Sequence, residues 1–102
     1  MVQVSTSTRE RGEVRNRADN NQDEIVTALR AIGCTVQVLS QVGGGFPDLL
    51  VGFRGVNYLM EVKGKRGKLS DDQIEWQRSW NGKVAVVRSF DEARIIITGN
   101  GE

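Results

Sequence analysis

Three residues of this 102-residue chain have side chains and spacing that could do chemistry: Asp48, Glu61 and Lys63. Each alone has a plain explanation. Asp48 follows Pro47 as a turn residue would, and Glu61 and Lys63 are charges that any solvated strand could carry. Strand pairing gives them joint meaning. Leu49 to Phe53 and Tyr58 to Val62 are apolar, β-favouring runs, and Arg54-Gly55-Val56-Asn57 between them has the Gly and Asn of a turn. Centred on Gly55 and Val56, the hairpin sets Asp48 opposite Lys63 and Leu50 opposite Glu61, all on one face. Asp48 and Glu61 are then diagonal neighbours, with Cβ atoms roughly 7 Å apart.

Two carboxylates at that distance suit a hard divalent cation. Mg²⁺ takes oxygen ligands, usually keeps several waters beside one or two carboxylates, and leaves room for a substrate phosphate. It polarises the phosphate and acidifies a bound water. A lysine alongside orients that water or offsets charge in the transition state. The chemistry implied is phosphodiester hydrolysis with Mg²⁺, for which Mn²⁺ can substitute.

Composition narrows the alternatives. There is no His and a single Cys, Cys34, which excludes a Cys/His zinc cluster and an internal disulfide. The missing His also removes the commonest general base, leaving carboxylate, lysine and metal. Cys34 reads as a small core residue. Charged residues at 26% and hydrophobic residues at 38% fit one modest soluble domain. No apolar run approaches the roughly 18 residues of a bilayer span, and no signal peptide is evident, so a cytoplasmic protein with no membrane partner is expected. The net charge of +1 conceals two basic clusters, Arg9, Arg11, Arg15 and Arg17 near the start and Lys63, Lys65, Arg66 and Lys68 after the hairpin.

The elements that must position the trio follow from periodicity and punctuation. Residues 1–17 read as a flexible basic arm and 18–102 as one domain. A helix is predicted from Asp19 or Asn20 to Ala31, with Ile25, Val26, Leu29 and Ile32 on its buried stripe and Glu24 beside it. Thr35 to Val42 alternates as a half-buried strand. Gly43-Gly44-Gly45 has no phosphate-loop signature and reads as a permissive turn where a nucleic-acid backbone can approach Gly44 and Gly45. Lys65, Arg66 and Lys68 form a loop suited to backbone phosphates. Ser70 to Gln73 is a capping box opening a second helix, which ends at Asn81-Gly82 and carries Trp76 and Trp80 on one face, where core packing is expected. Val84 to Val87 is a buried strand parallel to Tyr58–Val62. A short helix closes the chain after Ser89. The order is α-β-β-β-α-β-α, an α/β fold with a mixed sheet.

Pro47-Asp48 followed by Glu61-Val62-Lys63 resembles the PD-(D/E)xK nucleases. The longer strings GGGFPDLLV, YLMEVKG, LSDDQIEW and KVAVVRS resemble the virus-type replication-repair nuclease domain, VRR-NUC, between about Glu24 and Glu92. The resemblance implies a three-layer restriction-endonuclease-like fold and a Mg²⁺- or Mn²⁺-dependent DNA endonuclease. In it Asp48, Glu61 and the Val62 carbonyl would ligate the metal, and Lys63 would act on the water. It further implies that Glu24 on the first helix assists the metal, that Gln73 lies near the lysine, and that branched DNA, Holliday junctions in particular, is the substrate. A phage or bacterial setting is implied too. One site per chain makes a homodimer the simplest way to cut two strands. A non-catalytic DNA-binding module and a restriction-type or RNA-directed nuclease are the alternatives on this scaffold.

Overall fold

A computed structural model describes residues 17–99. The elements are α1 (Arg17–Ala31), β1 (Thr35–Val38), β2 (Leu49–Phe53), β3 (Val56–Val62), α2 (Asp71–Ser79), β4 (Ala85–Val87) and α3 (Phe90–Thr98). This is the expected order. The sheet runs β1-β2-β3-β4, with the first two pairings antiparallel and β3·β4 parallel. The arm expected over 1–17, with Arg9, Arg11 and Arg15, falls outside the described residues apart from Arg17, which opens α1. No helix among the described residues is long and apolar enough to cross a membrane.

One face of the sheet carries the core. Val36, Val51, Leu49, Met60, Val62 and Val87 alternate inward and meet Ile25, Val26 and Leu29 of α1 and Ala93 and Ile97 of α3, all of them buried. Cys34 joins this cluster, as expected, and burial raises its thiol pKa. Capping holds the helices to length. In α2 the Ser70 hydroxyl accepts from the Gln73 N–H and the Gln73 side chain accepts from the Ser70 N–H. Ser89 caps α3, and Gly99 ends it in the left-handed region at φ 65°.

The hairpin register differs from the expected one. The turn is the two residues Arg54-Gly55, at φ 51° and 82°, so that Phe53 pairs with Val56 and Leu49 with Met60. A two-residue turn with both φ values positive matches the twist of the strands. A turn centred on Gly55-Val56 would ask a β-branched residue to enter that region, which is far costlier than placing Arg54 there. Arg54 is further held over the Phe53 ring, 5.1 Å from its centroid. The shift is by two residues, so each side chain stays on its expected face. Carried one residue beyond Leu49, the register sets Asp48 directly against Glu61 rather than against Lys63.

Other expectations also need correction. β1 ends at Val38: one further ladder bond, from the Leu39 N–H to the Asp48 carbonyl at 2.7 Å, is followed by a turn closed by the Val42 N–H on the Leu39 carbonyl, and Val42 is exposed. Ile32 lies past the end of α1 and is 43% exposed. α2 has no buried residue, and Trp80 lies beyond its last turn, 45% exposed. The tryptophans are therefore not core. α1 and α3 already close the apolar face, and α2 lies over the other one.

Candidate active site

The site forms where β2 begins and β3 ends, on the face opposite the core. Glu61 alternates with buried Met60 and Val62 and so points toward α2, yet it is only 1% exposed. It is the one buried charged residue among those described. Gln73, in the first turn of α2, donates from Nε2 to Glu61 Oε2 at 2.8 Å. Its Oε1 meanwhile accepts from the Ser70 N–H at 2.9 Å. The two ends of one amide thus serve the helix cap and the carboxylate, so Gln73 fills both the structural role legible in its sequence and the placement near Lys63 that the resemblance implied.

Lys63 Nζ stands 3.6 Å from the same Glu61 Oε2, with its side chain 15% exposed. Glu61 Oε1 is buried without a hydrogen-bond partner. An orphaned carboxylate oxygen in that position is costly unless it is protonated or meets a cation. Burial, and next the adjacent charge of Asp48, raise the Glu61 pKa to about 8, with Lys63 pulling the other way.

Asp48 is fixed by backbone. Its Oδ2 accepts from the Val62 N–H at 2.9 Å, and Ser40 Oγ stands 3.5 Å from its Oδ1 and 3.4 Å from Gln22 Oε1. The Lys63 N–H, one residue on, bonds the Val87 carbonyl on the β4 side. Since the N–H and C=O of one strand residue leave on the same side, the Val62 carbonyl is directed toward Asp48. Two carboxylates and one backbone carbonyl, all hard oxygen donors, therefore converge on one corner. That donor set fits a hard divalent cation.

Glu24 does not join them. Among the described residues no group of three or more His, Cys, Asp or Glu is close enough to hold a metal ion. Ile25 and Leu29 turn α1 onto the apolar face. Glu24 instead lines a depression of about 540 Å³ with Asn20, Asn21, Lys65, Arg88 and Glu92.

The basic loop is anchored at its backbone. Arg88 donates from Nη1 to the carbonyls of Gly64 and Gly67 at 2.7 and 2.8 Å, and Asn21 Nδ2 donates to the carbonyls of Lys63 and Arg88 at 2.8 and 3.0 Å. Lys65, Arg66 and Lys68, on the loop that follows Lys63, are left exposed. Gly44 faces open space, whereas an added Cβ at Gly45 would clash with the Asp72 carbonyl oxygen. Gly45 is therefore required by packing against the start of α2.

Sequence reasoning passed over Asn21, Ser40 and Arg88. Asn21 did leave a signal, since it stands four and eight residues before Ile25 and Leu29, a polar residue on the buried line of the helix. Ser40 and Arg88 left none, because their roles depend on where the strands end.

A sequence profile of the VRR-NUC domain matches residues 4–91. No curated protein matches the chain. A solved structure of a VRR_NUC domain superposes with a TM-score of 0.60 at 28% identity, covering 82% of this chain and 97% of that one. With the profile spanning most of its length and the sheet order and Asp48–Glu61–Lys63 corner in place, the chain belongs to the VRR-NUC family and has a nuclease-type fold.

Proposed function

We propose that the protein is a Mg²⁺-dependent DNA endonuclease, with Mn²⁺ able to substitute, that hydrolyses phosphodiester bonds in branched DNA such as Holliday junctions. The observation that carries this reading is the orphaned Glu61 Oε1, buried beside Asp48 and next to Lys63. A fold gains nothing in stability from such an oxygen. It becomes useful when a cation completes it.

Asp48, Glu61 and the Val62 carbonyl would hold the ion, which when bound would polarise the phosphate and acidify a water. Gln73 pins Glu61 Oε2 and so leaves Oε1 as the free donor. The Val62 N–H fixes the Asp48 carboxylate in rotation. Lys63 keeps its ammonium beside the pair, where it orients the attacking water and offsets charge on the phosphoryl oxygens as the bond breaks. Lys65, Arg66 and Lys68 hold flanking phosphates, with the salt dependence that implies. Branched DNA is favoured over a sequence-defined site because the family resemblance points that way. Two copies related by a two-fold axis would cut both strands.

The test is incubation of the protein with four-way junction, flap, duplex and single-stranded DNA, with and without Mg²⁺ or Mn²⁺, beside Asp48→Ala and Lys63→Ala. Metal-dependent cutting of the branched substrates, lost in both variants, is expected. Cutting that survives in both variants would overturn the mechanism, and equal cutting of every substrate would overturn the branched-DNA assignment. Binding without cleavage in any metal would mark a DNA-binding module instead.

A further inference from the structure

Phe46, Trp76 and Trp80 form a column of rings. Phe46 meets Trp76 edge-on, with centroids 5.0 Å apart at 72°, and Trp76 lies nearly parallel to Trp80, 4.8 Å apart at 18°. The column begins two residues before Asp48. It is carried by the same helix that brings Gln73 to Glu61. It ends in solvent. Trp80 is 45% exposed although one of its faces is covered by Trp76. Its pyrrole edge rests over Gly82, where an added Cβ would come within 2.8 Å of Trp80 Nε1. Trp80 is thus the solvent-exposed end of the column, braced by Trp76 and Gly82.

Trp80 is also held in place. It is the C-cap of α2, in extended conformation, with its N–H on the Gln77 carbonyl. A large ring left 45% exposed contributes little to a core that it does not join.

We propose that Trp80 is a stacking platform for an unpaired nucleobase of the substrate, beside the site where the strand is cut. The inference rests on the nuclease reading above and adds to it the feature of DNA that is recognised. A base continues the column by the same parallel contact that Trp76 makes, and it does so whatever its identity, because every base has a π-face. Bases inside a continuous duplex have both faces covered by their neighbours, so the platform selects strands that are unpaired or splayed, as at a junction or gap. Arg78 on α2, in an exposed pair with Glu75, and Lys83 after Gly82 are exposed basic residues within three positions of Trp80, available to the phosphates of the stacked nucleotide.

The chain has two tryptophans, and both are in the column, so intrinsic fluorescence reports on it. The full chain, with Ca²⁺ in place of Mg²⁺, is titrated with a duplex carrying a short single-stranded gap and with the same duplex fully paired. Quenching by the gapped DNA alone is expected, and Trp80→Ala should weaken that binding about tenfold while leaving the paired duplex unaffected. Trp80→Phe, which keeps a ring, should retain most of the affinity. Equal affinity of wild type and Trp80→Ala for gapped DNA would overturn the proposal, as would an equal loss on both substrates. A drop in sedimenting mass on Trp80→Ala would also overturn it, assigning the ring to a contact between copies. Mg²⁺-dependent cutting by the wild type separates the two readings. Cutting that ignores Trp80→Ala removes the platform alone, whereas Trp80-dependent binding without cutting removes the nuclease alone.

Discussion

The two faces of the four-stranded sheet are built from the same strands to opposite ends. On one, Leu49, Val51, Met60, Val62 and Val87 disappear beneath α1 and α3 into close packing. On the other, Leu50 is 36% exposed, α2 buries none of its own residues, and the one fully enclosed side chain is a carboxylate with an unpartnered oxygen. Alternation along β3 puts Met60 and Glu61 on opposite faces at adjacent positions. The core face supplies the stability that the other face gives up, and the rigidity that keeps Asp48 and Glu61 in register.

Mutation at the charged corner should have the largest effect. Asp48→Ala and Glu61→Ala should lower cleavage by about a thousandfold or more, and Lys63→Ala by about a hundredfold or more, measured as single-turnover rates in Mg²⁺. On the core face, Leu49→Ala or Met60→Ala should cost about 2–5 kcal/mol of stability by denaturant unfolding, and Leu50→Ala well under that. The folded chain should still bind the cation in each case.

The buried carboxylate also makes stability depend on pH. Glu61 titrates near 4.5 in the unfolded chain and near 8 in the metal-free fold. Between those values the folded state holds a proton that the unfolded state has released, so metal-free stability should fall as pH rises from about 4.5 through about 8. Below that window the term is absent. The loss is on the order of a few kcal/mol, and Glu61→Gln should remove it, giving a variant that is inactive yet more stable at pH 8. Thermal unfolding of both proteins at pH 5 and pH 8 in chelator checks this. A smaller effect is expected from Gln73→Ala, which loses the bond to Glu61 and half of the capping box together. It should cost about 1 kcal/mol of stability and about tenfold in rate.

Much of this was legible in the letters, for identifiable reasons. The core stripe of Ile25, Val26 and Leu29 and the alternation of β2 and β3 follow from period alone. The expected nearness of Asp48 to Glu61, as diagonal neighbours on one face, holds despite the different turn because a slip of two residues preserves the face of every side chain. A slip of one would have destroyed it. The hairpin turn itself was misplaced because the tolerance of Arg54 for positive φ is not marked in its type. Glu24 and the tryptophans were misjudged for another reason: helical spacing tells which residues share a stripe, but not which layer of the sheet a helix will cover. With α1 and α3 over the apolar face, Trp76 packs between Phe46 and Trp80 outside the core, and Trp80 is left toward solvent.

Cation binding to the metal-free protein at pH 7, followed by calorimetry in two buffers of different ionisation enthalpy, bears directly on the buried carboxyl. Mg²⁺ or Mn²⁺ should displace close to one proton per ion, because Glu61 must ionise to ligate, and Glu61→Gln should release none. Binding of equal affinity in both proteins with no proton released would show that the ion, wherever it sits, is not held by Glu61.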